Sequence, residues 1–585
     1  MLKEFRSLLP LVRRYRWYYI AGVLALIVTS GAQLLIPQYI GSAIDVLMEG
    51  SGSLGRVRRT MLLMLATAVV IAVGRLGWRF FIHGSSRRIE TELRRQLYDH
   101  LLRLPPSYYQ EVKTGDLMAR ATNDMNAIRM AVGMALVAFI DGLFMTVAIL
   151  AILVAQNPRL ALFTVLPLPV ITITLILIGN RIGHLFRAVQ EGFSGMSDQA
   201  QEVLSGIRIV KVFVKERYFL RRFADANDNF QRQIMRLVRI WGLFFPLVSF
   251  LSGLTLLMLL WFGGRALITG EISAGEFVAT LSYLQMLIWP MMGAGFTVNM
   301  LQRGAASLAR INEVLSAPVA IDSAESGRTR AVSGGIKLRS LSYRYPGSSE
   351  PALQDLSFTV QRGDMVGILG RTGSGKTTVV NLLYRMLDPP EGSVFVDGTD
   401  VRDYRLDTLR AGFGVVPQNS FLFSATVEDN IRFARPDADE ATVSAAGTLA
   451  AIDTDVAGFP QGWKTVVGER GVTLSGGQRQ RIAIARALIS DPEILVLDDA
   501  LSAVDTRTEE RILQAVLEHR RGRTTIVISN RVSTLQGADA IYILDRGRII
   551  QTGTHRQLVK QAGLYREIYE LQQQERAETT RGHHD

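Results

Sequence analysis

The chain has 585 residues, 65 of them Lys or Arg, 53 Asp or Glu and none Cys, for a formal net charge of +12. The lack of Cys excludes disulfides, thiolate metal sites and cysteine nucleophiles, and leaves the redox compartment open. A mean hydropathy of +0.19 at this length excludes an ordinary soluble basic protein and requires a strongly apolar part beside a soluble one.

Residues 1–316 supply the apolar part. Six stretches, at about 19–40, 60–80, 132–155, 160–180, 241–268 and 277–301, predict an α-helical membrane domain of six spans, most of them near the roughly 20 residues that a crossing needs. The first is too long for a signal peptide and lacks a small-residue cleavage site. Basic residues flank the spans: Lys3, Arg6, Arg13, Arg14 and Arg16 before the first, Arg87, Arg88, Arg94, Arg95 and Arg103 after the second, and Arg208, Lys211, Lys215 and Arg217 before the fifth. An excess of Lys and Arg marks the cytoplasmic side, so these three regions and the C-terminal half face the cytoplasm. Arg56, Arg58 and Arg59 run against that rule without explanation. No aromatic-basic nucleic-acid module is present, and the positive charge reads as topology rather than as a nucleic-acid footprint.

The outer link Ala155–Arg159 is short, whereas the inner connections, about 83–130 and 180–240, are polar and rich in helix formers. Helical hairpins of that length reach about 35 Å from the membrane, with Gly115–Asp124 and Ser205–Phe213 expected at their tips. Candidates for a transport cavity are Arg75, Arg79, Asp141, Gln285, Met286, Met291, Met292 and Asn299; the alternatives are snorkelling of Arg75 and Arg79 to the inner interface, a place for Asp141 at the span's end, and, for the methionines, ordinary span packing, which accounts for them better. Pro37, Pro246 and Pro290 fall within or beside spans as possible kinks.

Residues 317–335, rich in Ser, Ala, Gly and Pro, read as a linker, and 336–574 as an α/β domain with a mainly parallel sheet and a helical region near 420–490. Within it, Gly370-Arg371-Thr372-Gly373-Ser374-Gly375-Lys376-Thr377 lies between an apolar strand, Met365–Leu369, and a helical run from Thr378. Glycines let successive N–H groups point at phosphates, Lys376 adds a full positive charge, and Thr377 offers a hydroxyl to Mg2+. The segment therefore predicts ATP or GTP binding. Ile494–Asp498 is an apolar strand that delivers Asp498 to the same Mg2+. Leu474–Gln478, ahead of the helical run 479–488, is a second glycine-rich helix start and hence a second phosphate-binding surface. One nucleotide does not need both from one domain, which predicts a head-to-tail dimer. The polar tail 575–585 is expected to be disordered, and His583-His584 is too little for a metal site.

Together these residues resemble the ABC transporter superfamily, and in particular its half-size, six-span, multidrug-exporter-like members, over nearly the whole chain. The resemblance implies a six-span helical membrane domain with long cytoplasmic extensions fused to an α/β P-loop ATPase. It implies ATP with Mg2+, Gln418 as a further metal-side and catalytic glutamine, and Tyr345 as the aromatic on which adenine stacks. Arg371, Thr372 and Thr378 belong to the phosphate site. Ser475, Gly476, Gly477 and Gln478 form the signature, Ser502–Asp505 the loop that carries Asp505, and Gly468–Gly471 a loop facing the inner-hairpin tips.

Two positions depart from the family pattern. Asp499 stands where a glutamate normally polarises the attacking water, and Asn530 where a switch histidine is expected. Aspartate holds its carboxylate about 1.5 Å further from the water, and an amide cannot become cationic as imidazole does. These substitutions predict a slow, degenerate ATP site, with the intact signature completing a competent site on a second, non-identical half-exporter chain. The expected cargo is a hydrophobic or amphipathic small molecule, drug or lipid, and the expected location a bacterial cytoplasmic membrane. Two other readings stay open: an ATP-binding regulatory subunit without transport, and a homodimeric drug or lipid exporter.

Overall fold

A computed structural model describes residues 3–49, 54–321, 327–468, 471 and 474–581. The chain divides into two units, one of residues 1–102 and 113–317, the other of residues 103–112 and 318–585.

The first unit is entirely helical among the described residues. Among the described residues, five helical stretches are long and apolar enough to cross a bilayer: Arg16–Met48, Leu54–Arg103, Thr114–Gln156, Glu216–Ile268 and Ala274–Leu315. The segment expected as a fourth span is divided at Leu166, between Pro158–Val165 and Pro167–Ser205. Asn157 caps the first piece by accepting the Leu160 N–H at 3.0 Å, with Pro158 at the first helical position. Leu34, Ile149, Leu259, Tyr283 and Leu287 form the unit's apolar core, while Phe139, Val147 and Trp261 lie exposed, as lipid contact allows. Buried Tyr283 donates its hydroxyl to the Leu34 carbonyl at 2.7 Å.

The first and last spans meet at one end. Asp45 accepts the Ser273 hydroxyl and the Gly275 N–H, both at 2.7 Å. Ser273 and Glu276 form a capping box there. Gly41 and Gly275 let the backbones touch, since a Cβ on Gly275 would lie 2.1 Å from the Gly41 carbonyl oxygen. Pro37, Pro246 and Pro290 all sit inside continuous helices.

Helices of 39 and 43 residues, Pro167–Ser205 and Glu216–Met258, are about 58 and 64 Å long at 1.5 Å per residue, well beyond a hydrocarbon core of about 30 Å. The short helix Ile207–Val212 joins them, inside the expected tip. The other tip differs from expectation: the chain turns at the helix Pro106–Glu111, and Gly115–Asp124 already belongs to the returning helix. Pro105 and Pro106 cannot continue the preceding helix, so they set the turn.

The second unit holds two sheets. A six-stranded sheet has the order β10-β9-β3-β8-β7-β6, built from β3 Met365–Gly370, β6 Phe413–Val416, β7 Ile494–Asp498, β8 Thr524–Ile528, β9 Ala540–Asp545 and β10 Arg548–Gly553. It is parallel except at β10. Strands β3, β7 and β8 are buried at every position, as their continuous apolar runs require. The sequence did not announce the second sheet, an antiparallel one of order β2-β1-β4-β5, from β1 Ile336–Tyr343, β2 Leu353–Val360, β4 Val394–Val396 and β5 Thr399–Asp400. Four helices position the site: α1 Lys376–Leu383, α2 Gly476–Leu488, α3 Thr506–His519 and α4 Leu564–Arg581. Helix α4 corrects one expectation. The tail is helical to Arg581, because its Glu, Gln, Arg and Ala content favours helix; His583 and His584 lie outside the described residues. Of the expected linker, Arg328 pairs its backbone with Asp403 and Arg405, so this stretch is built into the unit.

Candidate nucleotide site

The phosphate loop leaves the centre of the parallel sheet. A Cβ on Gly370 would lie 2.2 Å from the Leu544 carbonyl oxygen on β9, and Gly373 and Gly375 take φ of 82° and 100°, so all three positions demand glycine. Ser374 is buried and its hydroxyl has no hydrogen-bond partner among the described residues. Lys376, also buried, donates to the carbonyls of Gly370 and Arg371 at 2.7 and 3.1 Å. Burial holds its ammonium below the usual lysine value, while the carboxylates of Asp499 and Asp498 pull it back up. An unsatisfied hydroxyl and a buried ammonium resting on carbonyls at the start of α1 form a cradle suited to an anion.

Thr377 donates to Asp498 Oδ2 at 2.8 Å, bringing together two of the three expected metal-side groups. Burial chiefly raises the Asp498 carboxyl above the ordinary carboxylate value, with Asp499 adding to the effect and Thr377 and Lys376 opposing it. A hydroxyl and a carboxylate, both oxygen donors, fit Mg2+. The third, Gln418, is exposed two residues beyond β6 and makes no side-chain hydrogen bond to either. Tyr345 reaches Thr378 of α1 at 3.0 Å and meets Tyr343 edge-on.

The two departures from the family pattern face each other. Pairing of Asp498 with Ile528 aligns the ends of β7 and β8, and Asn530 Nδ2 donates to Asp499 Oδ2 at 3.4 Å. Asp499 is 9% exposed with a left-handed backbone, φ 48°. Its N–H bonds the Ile528 carbonyl at 3.0 Å, and its carbonyl accepts the Ser502 hydroxyl at 2.9 Å.

Ser475 caps α2 with Gln478 in a capping box, while Gly477 packs against the carbonyl of Ala503. Among the described residues no hydrogen bond joins this helix start to the phosphate loop. Asp505 spends its carboxylate on capping α3, accepting the Thr508 N–H at 2.9 Å. Within Gly468–Gly471, residues 469 and 470 lie outside the described residues.

Three groups escaped the sequence. Gln480 on α2 donates to Asp499 O and Ser502 Oγ and accepts the Ala503 N–H. Buried Glu509 pairs with Arg531 at 2.5 Å and accepts from Thr534. Gln572 on α4 touches the turn at Asn530. None belongs to a local motif, so only three-dimensional proximity reveals them.

In the first unit, Asp141 accepts a hydrogen bond from buried Ser30, and the guanidinium of Arg79 lies 5.6 Å over the Trp78 ring. Met286 and Met291 pack against the apolar core; nothing is described for the Met292 side chain. Gln285 and Asn299 are exposed.

Two protein families match the chain: the ABC transporter transmembrane region over residues 19–291 and the ABC transporter family over residues 353–502. A probable multidrug resistance ABC transporter ATP-binding/permease protein, YheI of Bacillus subtilis, is 38% identical over 96% of both chains. The multidrug resistance-like ATP-binding protein MdlA of Escherichia coli is 37% identical over 98% of both, and an ATP-dependent lipid A-core flippase of Idiomarina loihiensis is 32% identical over 97% of both. Among solved structures, a bacterial Atm1-family ABC exporter with ATP bound superposes with a TM-score of 0.79 at 27% identity, covering 96% of this chain and 99% of that one. The chain belongs to the ABC transporter family, as a half-size, multi-pass membrane exporter that carries its ATP-hydrolysing domain on the same polypeptide.

Proposed function

We propose that this chain is one half of a six-span bacterial inner-membrane exporter whose own ATP site is slow, and that an unlike half-exporter supplies the fast one. The carrying observation is the pairing of Asn530 with Asp499 beside an intact Ser475 capping box. A carboxylate one methylene short is bonded by an amide that cannot take up a proton, whereas the surface offered to a partner's nucleotide is complete.

In this reading Lys376, Ser374 and the loop N–H groups hold the phosphates, Tyr345 carries adenine, and Thr377 and Asp498 hold Mg2+, with Gln418 joining them by moving. Mg2+ would neutralise charge on the phosphates. Ser475, Gly476 and Gly477 would close over the partner's ATP. ATP-driven closure would pass through the inner hairpins to the spans and alternate access for a hydrophobic or amphipathic cargo, as the multidrug and lipid A-core names of the relatives support. The chain purified alone should release phosphate slowly, and co-expression with the matching half should restore turnover and vanadate-sensitive transport into vesicles. Brisk hydrolysis by this chain alone would instead favour a homodimer, and nucleotide binding with no movement of any tested compound a regulatory subunit.

A further inference from the structure

The turn after β8 carries Asn530, and little within the turn fixes it besides the Arg531 N–H to Ser529 Oγ bond at 3.0 Å. Helix α4 supplies the rest from elsewhere in the sequence. Gln572 accepts the Val532 N–H on Oε1 at 2.9 Å and donates from Nε2 to the Asn530 carbonyl at 2.8 Å. One side-chain amide thus satisfies a donor and an acceptor on either side of Arg531. The first turns of α4 are anchored independently: Tyr565 is fully buried and bonds His555, and Tyr569 stacks edge-on against the same imidazole. Arg531 itself reaches the carbonyls of Ser502 and Val504. The turn is therefore tied to α4 on one side and to the segment after Asp499 on the other.

From this geometry we infer that Gln572 is a positioning residue of the nucleotide site: it holds the backbone at 530–532 so that the Asn530 amide reaches Asp499, making α4 a functional part of the ATPase. The inference rests on the assignment of Asp499 and Asn530 to the nucleotide site. A glutamine is suited because it alone among common side chains offers a donor and an acceptor side by side at the end of a long stem. Glutamate retains the acceptor for the Val532 N–H and loses the donor to the Asn530 carbonyl. Alanine loses both.

The test is single-turnover cleavage of Mg-ATP by the full chain in lipid nanodiscs, which reads slow sites as well as fast ones. Gln572→Ala should slow cleavage about 3- to 10-fold, the strength of roughly one hydrogen bond, with half-saturating ATP within about twofold of wild type. Gln572→Glu should fall between the two. Because Gln572 acts through Asn530, the double variant Asn530→Ala/Gln572→Ala should be no slower than Asn530→Ala alone. Should wild type fail to cleave at all, the same ratios are read in an Asp499→Glu background, where the contacts of Gln572 with the 530–532 backbone are retained. The inference is overturned if Gln572→Ala stays within twofold of wild type, if its effect multiplies on that of Asn530→Ala, or if ATP affinity and melting temperature fall together with rate. A fast wild-type rate would refute the slow-site reading and still leave these ratios interpretable.

Discussion

Asp499→Glu is the most direct perturbation of this site. The Asn530 amide meets the Asp499 carboxylate at 3.4 Å, the outer edge of a hydrogen bond, and one methylene adds about 1.5 Å of covalent reach. The backbone cannot absorb that change by drifting, because it is tied to Ile528 at 3.0 Å and to Ser502 at 2.9 Å. The extra length is therefore delivered to the space in front of the phosphate loop. General-base assistance is worth about 10²- to 10⁴-fold when geometry is good. A longer carboxylate facing an unaltered amide should recover part of this, at least about tenfold in kcat, or about 1.4 kcal/mol of barrier. Asn530→His added to it should raise the rate further. KM for ATP should change little, since Lys376, Thr377 and Asp498 are untouched. Glutamate tolerates the left-handed backbone at 499 less well than aspartate, so melting temperature should be followed in parallel. The assay is phosphate release by the full chain in nanodiscs at saturating Mg-ATP. A rate within twofold of wild type for both the single and the double variant would show that neither position limits hydrolysis, and the slow-site reading would fall with it.

Three further outcomes follow from particular contacts. Glu509→Ala removes the buried partner of Arg531 and Thr534 and should cost about 1–3 kcal/mol, read as a lower melting temperature; Glu509→Gln, which keeps an acceptor, should cost less. His555 sits against Tyr565 and Tyr569, and burial holds its imidazole below the usual value. The folded chain therefore takes up this proton less readily, so as pH falls below about 6.5 the unfolded chain takes it first. Its contribution is thus present above about pH 6.5 and lost below, and His555→Gln should flatten the fall in melting temperature between about pH 7 and 5.5; an unchanged slope would contradict this. Gly275→Ala would drive a Cβ to within 2.1 Å of the Gly41 carbonyl oxygen and should lower the detergent thermal stability of the membrane domain, whereas Gly195→Ala, where nothing lies within 4 Å, should not.

Much of the nucleotide domain is legible in the sequence because strands buried on both faces must be apolar throughout: Met365–Gly370, Ile494–Asp498 and Thr524–Ile528 stand out unaided. The antiparallel sheet does not, since β4 and β5 have only three and two residues and β1 shifts register against β2. Asp499 and Asn530 could each be named from motif position, yet their meeting depends on how β7 pairs with β8, which no local pattern encodes. The misplaced tip shows the opposite case: Pro105-Pro106 was visible, and its power to end a helix outweighs the helix-forming residues on either side. In the membrane domain, the helices Arg16–Met48, Leu54–Trp78 and Ala274–Leu315 contain stretches that apolar length singles out, but Leu166–Pro167 interrupts the segment expected as a fourth span in a way that hydropathy does not register.

Gln480 ties α2, the helix that Ser475 begins, to the residues just after Asp498 through three hydrogen bonds. In the proposed dimer, the face turned to the chain's own nucleotide and the face turned to a neighbour's would consequently not be free to shift apart. Pressure of a partner on the start of α2 would then be transmitted as displacement of the 499–503 stretch, so two catalytic half-sites on opposite chains would share a single lever.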